Sequence, residues 1–166
     1  MDNISEQLVR KKEDSSDLMK RVIIIAGGAA AVIGLFVLTV RVTPFAVIGI
    51  AAAVFAVYWL FISTFVEYEY IVSNEYLDID KIIAKRRRVN MLSLDIREFT
   101  DFGCYEGQDY HGTTYSAVGG SEKQMYGLFS NGEHGEGRLV FSPDEKTLGN
   151  IHHYLKRDIV MKNRNN

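Results

Sequence analysis

Four consecutive cations, Lys85 to Arg88, are the sharpest local chemical feature of the sequence. At a turn close to a membrane, each cation near an anionic leaflet contributes on the order of 1 kcal/mol of binding. The same run is also typical of a solvated turn whose charge keeps the flank of a membrane segment in the cytoplasm. We therefore predict that Lys85, Arg86, Arg87 and Arg88 bind lipid or a partner, with a topology signal as the alternative.

The side chains that most often bind metals or catalyse reactions are scattered along the chain. The four histidines are His111 and His134 in predicted loops, and His152 and His153 on a predicted helix. Adjacent helical residues point in different directions, and the loop histidines lack cysteine partners at ligand spacing. The acids between Asp95 and Asp109 include candidates for a catalytic pair, but nothing in the sequence brings two of them together. We expect no metal, no cofactor and no enzymatic activity.

Three further features point away from common activities. Cys104 is the only cysteine, so it forms no internal disulfide; an inert structural or surface role is expected, and a reactive thiol is the alternative. The Gly-rich stretch from Asn131 to Gly137 lacks the Lys and Ser or Thr of a phosphate-binding loop, which predicts a hairpin loop. Residues 67–166 carry 13 Lys and Arg against 16 Asp and Glu. A net acidic segment disfavours nucleic-acid binding.

Two long apolar runs separate these residues from the N-terminus. Residues 22–40 contain no charged side chain and as a helix would be about 28 Å long, close to the thickness of a bilayer's hydrocarbon core. Residues 45–66 are also uncharged and would be about 33 Å long. We predict two transmembrane helices, 22–40 and 45–66; a cleaved signal peptide is the alternative interpretation of the first run.

A short link and the flanking charges define the topology of these helices. Thr43 can cap the second helix and Pro44 can occupy its first turn. The link between the two spans, residues 41–44, is so short that they are predicted to form an antiparallel hairpin. Lys and Arg are frequent in the preceding segment, residues 1–21, and after the second span, whereas the link holds only Arg41. Because cytoplasmic flanks retain Lys and Arg, both termini are predicted to be cytoplasmic.

Small residues within the hairpin predict close helix packing. Gly27 and Ala31, like Ala30 and Gly34, are four residues apart and so share a helix face, where two backbones could approach closely. The packing could be within the hairpin or between copies of the chain. The spans lack ionisable groups, which predicts an anchor and not a transport path.

From Glu67 onward the hydrophobic period changes to two, which indicates strands separated by turns. Seven strands are predicted, at 68–72, 76–83, 89–96, 99–105, 113–118, 124–130 and 138–141. Ser142 to Glu145 then predicts a helix start, with a capping hydroxyl and Pro143 in the first turn. The sequence therefore predicts a membrane helical hairpin at 22–66, followed by a mainly β domain with one C-terminal helix at 67–158. A tail at 1–21, with weak surface helix or disorder, precedes the hairpin, and a second tail at 159–166 follows the domain.

The segment EYEYIVSNEYLDIDKIIAKRRRVNMLSLDIREF resembles the opening of bacterial pleckstrin-homology-like (PH-like) membrane proteins, including small two-helix membrane proteins of Gram-positive bacteria. In such proteins, helices precede a strand hairpin, a basic turn and an alternating strand, here VNMLSLDI. The resemblance covers roughly Phe65 to Lys156 and rests on strand order. It implies a binding or scaffolding module and carries over no activity.

Together, these features predict a multi-pass protein of the bacterial plasma membrane whose cytoplasmic PH-like domain binds another membrane protein or a second copy of the chain. The alternatives are a module that senses anionic lipid, a membrane enzyme, and an accessory subunit of a transporter. A cleft that gathers Asp95, Asp101, Asp109 or a histidine would favour the enzyme.

Overall fold

The computed structural model describes residues 4–42, 46–120, 122–132 and 134–164. The chain divides into two compact units: a helical hairpin, Glu13–Val66, and a β domain formed by the residues up to Lys12 together with those from Glu67 onward.

The helical hairpin contains helices α1 (Ser15–Val42) and α2 (Ala46–Ser63). Helix α1 begins seven residues before the predicted span. At its start the Asp14 carboxylate accepts the Ser15 backbone N–H at 2.7 Å and the Ser16 hydroxyl at 3.2 Å. One stretch, Ser15–Leu38, is long and apolar enough to cross a membrane, whereas Val47–Ser63 is a shorter apolar helix. The predicted pair of spans is therefore not confirmed. The predicted turn at Thr43 and Pro44 lies outside the described residues.

Eight strands make up the β domain within the described residues. They are β1 (Ile4–Arg10), β2 (Val66–Ser73), β3 (Tyr76–Ile83), β4 (Arg87–Asp95), β5 (Phe99–Cys104), β6 (Thr113–Ala117), β7 (Met125–Asn131) and β8 (Gly135–Phe141). One four-stranded sheet has the order β1-β2-β3-β4 and the other β5-β7-β8-β6. The seven predicted strands all occur. Burial alternates along β7, as expected for a strand with one buried face, whereas the last five residues of β8 are all buried.

Strand β1 corrects the prediction of weak helix or disorder for the N-terminal tail. Ile4–Arg10 pairs antiparallel with β2, and Arg10 lies opposite Glu67. Its buried face consists of Ser5, Gln7 and Val9, of which only Val9 is apolar. That weak alternation gives no strand signal on its own, and the pairing strand lies beyond both helices. The helical hairpin is thus inserted between two neighbouring strands of one sheet.

The C-terminus contains two helices, α3 (Glu145–Tyr154) and α4 (Arg157–Arg164), where one helix was predicted. The cap of α3 is Asp144, whose carboxylate accepts the Thr147 N–H at 2.7 Å; the predicted Ser142 cap is wrong. Leu155 has an extended backbone and ends α3. Ile159 on α4 is 6% exposed, so part of the predicted tail belongs to the domain.

Aromatic rings from both sheets form much of the core. Tyr70 and Phe102 each contact Phe141 in edge-on geometry, and all three are fully buried. The Tyr70 hydroxyl donates to the Ala117 carbonyl and accepts the Ser142 N–H at 3.3 Å. This buried hydroxyl joins β2 to the end of β6 and to the chain after β8, and both bonds matter because an unpaired polar group at such depth would be costly.

Candidate functional site

The predicted basic turn is a tighter turn followed by the start of a strand. Ala84 and Lys85 have φ values of 55°, and the Arg86 N–H bonds the Ile83 carbonyl at 3.1 Å. Arg87 and Arg88 already belong to β4. All four cations are exposed, but they belong to two different structural elements. Of the four, only Lys85 and Arg86 are turn residues.

Arg88 differs from Lys85, Arg86 and Arg87, for which the described part of the chain shows no ion pair, because it pairs with an acid. Its guanidinium lies 2.6 Å from a Glu69 carboxylate oxygen and 3.8 Å from Asp80. The Glu69 side chain is only 5% exposed. Burial raises its pKa, a hydrogen bond with Glu6 raises it further, and the charge of Arg88 opposes both. Arg88 therefore neutralises a buried acid, which leaves Lys85, Arg86 and Arg87 as the candidate surface for anionic ligands.

Packing within the helical hairpin centres on Gly28. A Cβ at Gly28 would clash with the Val57 side chain, whereas a Cβ at Gly27 or Gly34 would meet nothing within 4 Å. Ala31 is exposed. Among the residues that the structure describes, none packs against Gly27 or Gly34 within the hairpin. A role for Gly27, Ala31 and Gly34 between copies of the chain stays a prediction.

The acids and histidines considered for catalysis have separate partners. Asp95 holds Arg97 through both carboxylate oxygens at 2.6–3.1 Å, and Arg97 is the main reason that the pKa of Asp95 is lowered. Asp101 accepts the Tyr126 hydroxyl at 2.9 Å. The His152 ring packs edge-on against Phe102. Within the described residues, no three His, Cys, Asp or Glu side chains come together as a metal site.

A cleft that the sequence did not predict lies between α3 and the adjoining ends of β5 and β7. Its volume is about 730 Å³, within the range of small-molecule sites. Its wall consists of Gly103, Cys104, Glu106, Gln108, Lys123, Met125, Tyr126, Pro143, Leu148 and His152. These residues come from three separate stretches of chain, so no spacing in the sequence signals the cleft. Of the residues whose gathering in a cleft would favour an enzyme, His152 lines this cleft, whereas Asp95, Asp101 and Asp109 do not.

A buried arginine holds the loop that forms one side of this cleft. The Arg138 guanidinium lies 5.2 Å from the ring centres of both Tyr105 and Tyr110, and it donates to the Gln108 carbonyl at 2.5 Å. Arg138 is 9% exposed. Two cation–π contacts and a charge-assisted hydrogen bond fix the loop after β5 over β8. The position of Gln108 in the cleft wall is therefore well defined.

Two four-stranded sheets followed by C-terminal helices form the β domain, which is the architecture of a PH-like domain. The chain belongs to the bacterial PH-like domain family (DUF6106), whose family model matches residues 1–161. This match includes β1 and the helical hairpin as well as the rest of the β domain. Searches of curated proteins and of solved structures found no match.

Proposed function

We propose that the chain is a non-catalytic interaction module, anchored in the bacterial plasma membrane by both helices of the hairpin, with its PH-like domain in the cytoplasm. The observation that carries the proposal is the outward apolar surface of the helical hairpin. Only 6% of the membrane-length window of α1 is buried, and on α2 the side chains of Ile48 and Phe55 are 68% and 67% exposed. A soluble protein rarely exposes so much contiguous apolar surface.

A clamp at the base of the hairpin supports membrane insertion of both helices. Arg21, immediately before the apolar run of α1, donates to the Thr64 hydroxyl at 3.1 Å and to Glu13 at 2.7 Å. Its guanidinium also lies 4.3 Å from the centre of the Phe65 ring. The apolar stretches of the two helices therefore start and end at the same level. Helix α2, with 18 residues, would be about 27 Å long, which is within the range of short spans.

Lys and Arg are in excess before α1 and after α2, which supports cytoplasmic termini because cytoplasmic flanks retain these residues. Because β1 and β2 are neighbours in one sheet, both ends of the hairpin have to lie on the side of the membrane that holds the β domain. An even number of crossings satisfies this requirement and a single crossing does not. If α2 did not cross the membrane, its exposed apolar surface would have to lie in the membrane interface, or α2 would have to enter and leave the membrane on the same side.

Cysteine labelling in intact cells tests this topology. Native Cys104, in the β domain, should react with a membrane-impermeant maleimide only after permeabilisation. Thr43→Cys in a Cys104→Ser background should react in intact cells, because two crossings place the link outside. Labelling of Cys104 in intact cells would refute the orientation, and protection of the Thr43→Cys thiol would refute two crossings.

A second candidate is recognition of anionic lipid, favoured by the exposed cations Lys85, Arg86 and Arg87. Native mass spectrometry of the full chain, solubilised with mixed phosphatidylglycerol and phosphatidylcholine, would count the lipids retained. Replacement of these three cations by Gln should remove a preference for phosphatidylglycerol. The matched single change Lys146→Gln, on an exposed part of α3, should retain it. If the wild-type chain shows no preference, the turn acts as a topology signal only.

A further inference from the structure

The cleft between α3 and the ends of β5 and β7 has walls of two chemical kinds. One wall is apolar and consists of Met125, Pro143 and Leu148; the first is 6% exposed and the second is buried. The mouth carries two opposite charges, Glu106 and Lys123, both on exposed residues. A ligand that matches all of these groups needs an apolar body and a head with both charges.

The two charged residues follow the same end of the β5–β7 ladder. Cys104 lies opposite Met125 in this ladder, and beyond it the Tyr105 N–H donates to the Gln124 carbonyl at 2.9 Å. Both strands end there, and Glu106 and Lys123 each lie two residues beyond the last pair. The part of the chain that the structure describes shows no ion pair for either side chain. The cleft thus presents an acid and a base on the two chain segments that meet at this end of the ladder.

The remaining polar groups of the wall add hydrogen bonds without adding charge. Partial burial lowers the pKa of His152, so its ring is neutral at pH 7. Gln108 is occupied locally, since its amide donates to the Cys104 carbonyl and accepts the Glu106 N–H. Lys123 and Glu106 are therefore the charged groups available to a ligand.

We propose that this cleft binds an apolar α-amino acid, with the ligand carboxylate at Lys123, its ammonium group at Glu106 and its side chain against Met125, Pro143 and Leu148. The α-carbon of an amino acid carries both charges within a few ångströms, which matches an acid and a base on neighbouring strand ends. An aliphatic or aromatic side chain of the ligand packs against the apolar wall of the cleft. This ligand class is independent of how the chain is anchored.

Cys104 provides a reporter for occupancy of the cleft. It is half-buried in the wall and is the single cysteine of the chain, so its alkylation reads out this place alone. The probe is phenylalanine, added to the full chain in detergent micelles during reaction with N-ethylmaleimide. Phenylalanine should slow the alkylation of Cys104, by about tenfold when its concentration is about ten times its Kd.

Two analogues of phenylalanine test the need for both charges. 3-Phenylpropanoate lacks the ammonium group and 2-phenylethylamine lacks the carboxylate, so each leaves one charged side chain unmatched and should protect much less than phenylalanine. Equal protection by either analogue would overturn the zwitterion assignment. Absence of protection by phenylalanine, or a Cys104 that does not react in the native free protein, would overturn the site.

Variants separate binding at the rim from a change in folding. Lys123→Met and Glu106→Gln should each abolish protection by phenylalanine, measured in each variant as the ratio of its own alkylation rates with and without phenylalanine, because removal of a nearby charge also changes the reactivity of the thiol. Lys146→Met removes an exposed cation of α3 that does not line the cleft, and it should retain full protection. Protection that survives in Lys123→Met would show that the carboxylate is not held there and would refute the proposal.

Discussion

Replacement of Gln7 by Leu should destabilise the β domain much more than expected for a residue near a chain end. The Gln7 amide donates to the Ser142 carbonyl at 3.2 Å and accepts the Asp144 N–H at 2.8 Å. Gln7 is 9% exposed. Leu has a similar size but cannot replace either hydrogen bond, so two backbone groups at the start of α3 lose their partner.

The magnitude follows from the two unpaired groups. Each buried polar group left without a partner costs about 1–3 kcal/mol. Because the hydrogen bond to Asp144 is only partly buried, we expect the lower part of the summed range, roughly 2–4 kcal/mol, as the loss in the free energy of unfolding. At about 4 °C per kcal/mol for a domain of about this size, the Tm of the β domain should fall by roughly 8–16 °C. Thermal unfolding of the full chain in detergent, followed by circular dichroism, measures this change.

Leu8→Ala is the matched control. Leu8 is the next residue of the same strand, points to the other face and is 58% exposed, so its truncation should change stability by about 0.5 kcal/mol or less. Hydrogen exchange should also quicken at the first turn of α3 in Gln7→Leu and stay unchanged in Leu8→Ala. Equal effects of the two substitutions would refute the inclusion of β1 in the domain.

Three further predictions test individual contacts. Gly28→Leu should force the helices of the hairpin apart, whereas Gly27→Leu should be tolerated; disulfide cross-linking between engineered cysteines on the two helices reports the difference. Arg88→Gln should cost about 1–2 kcal/mol of unfolding free energy, because it leaves the buried acid Glu69 without its cation. Arg87→Gln should be near neutral, and denaturant titration of both variants measures the difference. Burial and a hydrogen bond raise the pKa of Tyr126 to about 12 from 10.0. Its neutral form therefore contributes stability that is complete below pH 10 and lost toward pH 12. The difference in unfolding free energy between the wild-type chain and Tyr126→Phe should shrink over that interval, and a constant difference would contradict the assignment.

Short-range patterns were sufficient to predict most of the β domain. Strand β3 has the bounds that alternation predicted, Tyr76–Ile83, because a strand with one buried face needs a period of two whatever its partners are. The apolar run of α1 was equally predictable, since an uncharged stretch of that length has few other solutions. The resemblance drawn from strand order is confirmed by the family match.

The interaction candidates were less predictable, because composition does not reveal partners. The run of four cations suggested one basic surface, yet Arg88 is paired with Glu69, a residue from a different strand. Helical spacing identified Gly27, Ala31 and Gly34 as a packing face, whereas the rotation of α1 against α2 selects Gly28. A pattern names the residues able to make a contact, and only their neighbours decide which of them make it.

The sequence by itself determined the apolar helices, the seven strands after them and the absence of a local motif for catalysis, because these depend on residues close together in the chain. The tertiary structure decided that Ile4–Arg10 is an eighth strand and that Cys104, Lys123 and Leu148 share one cleft. Both depend on segments far apart in sequence that meet only when the sheets form. Long-range pairing depends on complementary faces across the whole fold, and no local window of sequence contains that information.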